Sequence, residues 1–69
     1  MKGGKQMISL IRLERLKRGL RQQDLWTQTG IPQWRISLIE NGMTPRPDER
    51  KILANVLDIP EDAIEQFVE

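Results

Sequence analysis

Three glycines, Gly19, Gly30 and Gly42, divide the centre of this chain into stretches of no more than about three helical turns each. Glycine just past the last apolar position of a periodic stretch is a common helix stop, because it enters left-handed backbone without a steric penalty. Between the stops, key residues recur three and four apart: Ile11 and Arg15, Leu13 and Leu16, Ile36 and Ile39. That spacing predicts short helices, and no alternating pattern predicts a strand. The first helix begins at a cap residue, Ser9, and runs to Arg18. The second covers about 22–29 and the third about 32–41, with Pro32 in its first turn, where a missing N–H costs nothing. After the loop Met43-Thr44-Pro45-Arg46-Pro47, a fourth helix runs from about Pro47 to Leu57. Asp48 and Glu49 sit in its first turn, where the helix dipole favours acids, and Ile52, Leu53, Val56 and Leu57 form its apolar face. Pro60 is read as opening a fifth helix, with Ile64, Phe67 and Val68 on its apolar side. The expectation is an all-α fold, a compact bundle of four to five short helices. Residues 1–6, Met-Lys-Gly-Gly-Lys-Gln, read as a flexible leader, and 7–69 as a single domain.

The 69 residues contain no cysteine and no histidine. A chain of this length buries only about 60% of its unfolded surface, too little for a deep catalytic pocket. Without cysteine there is no disulfide, thiolate metal site or thiol nucleophile, and without histidine the commonest general base is missing. No nucleophile–base pair, metal cluster or phosphate-cradling loop stands in the sequence. The expectation is a protein that is not an enzyme and carries no cofactor and no metal. No apolar run approaches the ~20 residues of a membrane span, and Arg12 interrupts Met7-Ile8-Ser9-Leu10-Ile11 before it could serve as a signal peptide. No membrane partner and a cytoplasmic location are the expectations.

The formal net charge is +1, but it is unevenly spread. Residues 1–46 hold nine Lys/Arg against three acids, a net +6, whereas 47–69 hold two against seven, a net −5. One end of the chain suits a polyanion and the other repels it. Arg12, Lys17 and Arg18 read as solvated helix-face charge whose main effect is long-range attraction.

The informative stretch is Leu20 to Gly42. Two helices of about eight residues meet at Gly30-Ile31, where glycine permits a positive φ and Ile31 is returned to the core. That is the layout of a helix-turn-helix, whose second helix lies in the DNA major groove. With Ile36 and Ile39 turned inward, the third helix offers Gln33, Trp34, Arg35, Ser37 and Leu38 outward. Glutamine matches adenine N6/N7, and arginine matches guanine or phosphate.

The run Gly19-Leu20, Gln22, Leu25, Gly30-Ile31, Gln33, Ile36-Ser37 and Ile39-Glu40-Asn41-Gly42 resembles the phage repressor and Cro-type helix-turn-helix proteins, the XRE family, over about residues 11–64. The resemblance implies a lambda-repressor-like domain and double-stranded DNA as partner. It places Gln33, Trp34 and Leu38 at base-reading positions. Phosphate contacts fall to Gln22, Asn41, the backbone of Met43 and Thr44, and Arg46, with Arg21, Arg35 and Ser37 as further candidates. It implies a buried ion pair, structural rather than DNA-binding, between Arg15 and Glu40. Four positions depart from the family. Trp26 stands where a small residue is usual and is read as core. Arg21 and Pro32 stand where Ser or Thr would cap the second and third helices, a loss of roughly 1 kcal/mol at Arg21. Leu38 replaces a polar reader, and a thymine methyl is the contact it can make instead. Leu13, Ile64, Phe67 and Val68 either close the small core or, where left exposed, form a dimer surface.

The function these features imply is a sequence-specific DNA-binding transcriptional regulator, a repressor acting as a homodimer on a palindromic operator. Two alternatives stand beside it. One is an autorepressor that is also an antitoxin holding a toxin, or a restriction–modification controller. The other is a protein-interaction module that no longer binds DNA.

Overall fold

The computed structural model describes residues 7–69, so the leader expected at 1–6 lies outside the described residues. The order of elements is β1 (Ile8–Ser9), α1 (Leu10–Lys17), α2 (Gln22–Thr29), α3 (Gln33–Glu40), α4 (Pro47–Leu57), a 3-10 turn (Glu61–Ala63) and β2 (Phe67–Val68). The four helices stand where the glycine and proline signals put them. Ser9 caps α1 by accepting a hydrogen bond from the Arg12 N–H (3.2 Å). Pro32 and Asn41 prove to be the residues flanking α3 rather than its first and last turns. None of these helices is long and apolar enough to cross a membrane.

Two expectations are corrected at the end of the chain. The fifth helix reduces to the single 3-10 turn after Pro60, and Phe67 and Val68 leave it to form a strand. That strand pairs antiparallel with β1, Ile8 opposite Val68 and Ser9 opposite Phe67, and Leu10 N–H donates to the Gln66 carbonyl at 2.8 Å. Strands of two residues are too short to show an alternating pattern, which is why the sequence does not announce them. The ribbon ties the end of the described chain to the start of α1. The second correction concerns Ile64, a candidate dimer residue. It is 1% exposed and belongs to the core, so it offers nothing to a partner.

The core consists of Ile11, Leu25, Ile31, Ile36, Ile39, Leu53, Ala54, Leu57 and Ile64, with Met43, Ile52, Val56 and Ile59 against its edge. Every helix contributes, and α2 and α3 pack against one another most extensively. On α1 the buried stripe is Ile11 and Arg15, not the leucines; Leu16 is exposed. Trp26 is also corrected, being 46% exposed. Its neighbour Leu25 takes the inward position and is fully buried. The next residue along a helix is turned about 100° away, so the indole lies on the outer side of α2 beside Arg21, Gln23, Thr27 and Gly30.

The turn between α2 and α3 depends on Gly30, at φ 79°. Thr29 closes it, its hydroxyl donating to the Leu25 carbonyl (2.7 Å) and accepting from the Ile31 N–H (3.1 Å). At the end of α4 the same left-handed position is held not by glycine but by Asp58, at φ 55°. Left-handed backbone costs an L-residue roughly 1–2 kcal/mol, less for aspartate than for most. A Cβ at Gly30 would meet nothing within 4 Å, so Gly30→Ala carries the backbone penalty alone. Thermal unfolding is expected to show Gly30→Ala destabilised by about 1 kcal/mol, and Asp58→Gly stabilised by roughly 0.5 kcal/mol, because glycine relieves the strain but gains freedom in the unfolded chain.

Candidate nucleic-acid interface

The interface is built outward from a buried charge cluster. Glu40, the last residue of α3, is 4% exposed and Arg15 is 7% exposed. Arg15 Nε donates to Glu40 Oε2 at 2.6 Å and a second guanidinium nitrogen donates to Oε1 at 3.1 Å. The remaining guanidinium nitrogen reaches the Leu20 carbonyl at 2.8 Å. Gln22, in the first turn of α2, donates from Nε2 to Glu40 Oε1 at 3.1 Å. One carboxylate therefore fixes α1, α2 and α3 relative to one another. The ion pair implied by the family resemblance is present, and Gln22, expected to hold a phosphate, is oriented by the same carboxylate.

From this anchor α3 turns Trp34 and Leu38 to solvent, 65% and 47% exposed, while Gln33 and Ser37 are half-buried beside them. Trp34 and Leu38 are four residues apart and so lie on one stripe. Arg35 does not join that stripe. Its guanidinium is bidentate to Glu49 of α4, through Nε to Oε2 and through a terminal nitrogen to Oε1 at 2.9 Å. Arg35, expected as a phosphate contact, thus has one edge of its guanidinium, Nε and a terminal nitrogen, taken by a largely buried carboxylate. In the sequence Glu49 is a favourable charge in the first turn of α4. It does that work too, accepting the Arg46 N–H at 2.8 Å. The bond from Arg35 is the main reason its carboxyl titrates below the ordinary value; burial opposes the shift and the Arg46 N–H adds to it.

Beyond α3, Asn41 donates its side-chain amide to the Ser37 carbonyl at 2.7 Å. Met43 is corrected as a backbone contact. Its N–H donates to the Leu38 carbonyl at 3.0 Å and its side chain packs against the core. Thr44 remains exposed next to it, and Arg46 is exposed with no carboxylate within salt-bridge distance among the described residues. Arg21 precedes α2 and pairs with Asp24 at 3.2 Å in full solvent. The same Asp24 accepts the Arg21 N–H at 2.8 Å, so the second helix has its N-terminal carboxylate after all, supplied from three residues inside rather than from the cap position. Two bonds lower the Asp24 carboxyl from its ordinary value, the Arg21 guanidinium first and the Arg21 N–H second.

Counted over the described residues, pairing removes most of the positive charge. Lys17 and Arg18 pair with Glu14, and Arg50 pairs with Glu65. Arg12, Arg46 and Lys51 are the described cations with no carboxylate within salt-bridge distance.

A family model for helix-turn-helix proteins of the Cro/C1 type matches residues 11–64, from the first buried residue of α1 to the last residue of the core. No match was found among curated proteins or among solved structures.

Two measurements probe the charge pairs. Removing one member of a buried pair strands the other, at roughly 3–5 kcal/mol, a large part of the stability of a small domain. Glu40→Ala is therefore expected to unfold the protein or to lower its melting temperature steeply; a small change would show that the pair is not an anchor. For Glu49, the lowered carboxyl contributes stability above its unfolded pKa that is lost as pH falls through its folded value. Stability should decline as pH drops through and below the ordinary carboxylate range. Glu49→Gln should be less stable at neutral pH and show a shallower acid decline, measured by urea unfolding across that range. Glu14 and Asp24, also lowered, keep the remaining slope.

Proposed function

Because the chain belongs to the Cro/C1-type helix-turn-helix (XRE) family of DNA-binding transcription regulators, we infer that it is a repressor that binds a palindromic operator as a homodimer. The observation that carries this reading is the exposed stripe of α3. A helix that needed only to fill a core would not turn an indole and an isobutyl group into solvent one turn apart. Gln33, Trp34 and Leu38 are the proposed base readers, and α3 is the element that enters the major groove. Gln22 stands at the start of α2, where backbone N–H groups and the helix dipole favour a phosphate. Arg21, Thr44, Arg46 and the Asn41 and Ser37 positions border the same face as proposed backbone contacts.

Repression follows from occupancy: a protein seated across a promoter excludes polymerase. A dimer would set its half-sites about one helical turn apart. The surface proposed for self-association is the β-ribbon, where Phe67 is exposed and Val68 half-exposed. The acidic residues of 47–69 suit a side turned away from phosphate.

Selection of bound sites from a random duplex pool tests the reading. A palindromic consensus supports a dimeric, sequence-specific regulator; a single ungapped half-site supports a monomer; and no enrichment overturns the reading. Salt provides the quantitative check. Each cationic phosphate contact contributes a slope of about −0.9 in log K against log salt on duplex DNA. Arg46→Ala is expected to flatten the slope by about one unit and to weaken all sequences alike. An unchanged slope would remove Arg46 from the interface.

A further inference from the structure

We propose that the recognition helix selects its DNA by the 5-methyl groups of pyrimidines, read by Trp34 and Leu38. The proposal rests on the DNA-binding reading above and specifies the chemistry that reading leaves open. It starts from what α3 lacks. Its one cation, Arg35, would be the natural reader of guanine, but its guanidinium is drawn to α4, with Nε and one terminal nitrogen bidentate to Glu49, which is 6% exposed and itself anchored at the start of α4. Its one acid, Glu40, which could accept from cytosine N4, is buried and bound to Arg15 and Gln22. The charged groups of the helix are thus turned to the protein. The side chains most open to solvent are Trp34 and Leu38, which offer apolar surface and a single N–H.

In the major groove one base-pair feature is apolar, the methyl on pyrimidine C5, carried by thymine and by 5-methylcytosine. Covering it removes apolar surface from water on both partners, whereas placing an isobutyl group over an amino or keto edge leaves that edge without its water. The spacing also fits. Four residues advance about 6 Å along a helix at ~1.5 Å each, and base pairs stack at about 3.4 Å. The two side chains therefore address two base pairs that are adjacent or separated by one.

The test uses the full chain and the duplex recovered by selection from a random pool. Thymines of that site are replaced one at a time by deoxyuridine, which deletes the methyl and leaves the Watson–Crick pair intact. The expected result is a loss of about fourfold in affinity, the size of one buried methyl, at two positions per half-site no more than two base pairs apart. Trp34→Ala should abolish the thymine–uracil difference at one position and Leu38→Ala at the other, while both variants keep the helical circular dichroism of the parent. A third arm places cytosine or 5-methylcytosine at each sensitive position, paired with guanine. Recovery by 5-methylcytosine alone shows that either methylated base is read. Failure of both, with uracil still weak, narrows the reading to thymine and leaves the methyl contact standing. Equal binding of the thymine and uracil duplexes overturns the proposal while DNA binding itself survives. Recovery of no enriched site overturns the repressor reading and this proposal together.

Discussion

The relative placement of α1, α2 and α3 is held from behind by the carboxylate of Glu40. A chain this small cannot hold three short helices at defined angles by apolar contact alone. Its buried side chains are few, and aliphatic contacts tolerate sliding. A bidentate guanidinium–carboxylate pair does not. Arg15 spans from α1 to the end of α3 and also takes the Leu20 carbonyl, which fixes the turn after α1. Gln22 then ties the start of α2 to the same oxygen. Burying two charges is costly, and apolar residues of similar volume can match such a pair in stability. What an apolar pair would not provide is direction: the end of α3 and the start of α2 would no longer be located relative to one another by shared hydrogen bonds.

The Arg35–Glu49 pair does the corresponding work between α3 and α4, with a further consequence for charge. The chain is +6 over residues 1–46, yet among the described residues six cations are engaged by carboxylates, Arg50 among them from the acidic end. Exposed pairs such as Arg21–Asp24 contribute little to stability and can exchange a carboxylate for a phosphate at small cost. Buried pairs such as Arg35–Glu49 cannot. The electrostatic attraction inferred from the sequence therefore survives as a long-range field, while the short-range contacts available to phosphate are fewer than the count of Lys and Arg suggests.

Helix positions were legible because glycine, proline and a capping serine are local signals with local causes. Gly30 and its positive φ could be read from the sequence for that reason. The Arg15–Glu40 pair could not be read from spacing, since its partners are 25 residues apart; only the family resemblance supplied it. Arg35–Glu49 was missed for the same reason, and no local signal distinguishes an arginine aimed at DNA from one aimed at α4. The ribbon was missed because two residues carry no period. Trp26 was misplaced because hydrophobicity says that a side chain prefers burial, not that there is room; Leu25, one residue earlier, had already filled it. The fifth helix failed on length: Pro60 and two acids describe a helix start accurately, but a start does not require a continuation.

Two of these corrections, at Arg35 and Met43, share a direction: each engages within the protein a polar group that the sequence offered to phosphate. Arg35 goes to α4 and the Met43 N–H to the Leu38 carbonyl, while Gln22 gives one of its amide protons to Glu40. The face left over is more apolar than its sequence suggests. On such a face, contacts to base edges and stems outweigh direct charge neutralisation, so affinity should depend less on salt than the arginine content implies and more on how closely an indole and an isobutyl group fit the floor of the groove. Selectivity by shape at methyl groups is the mode of recognition that such a face can support.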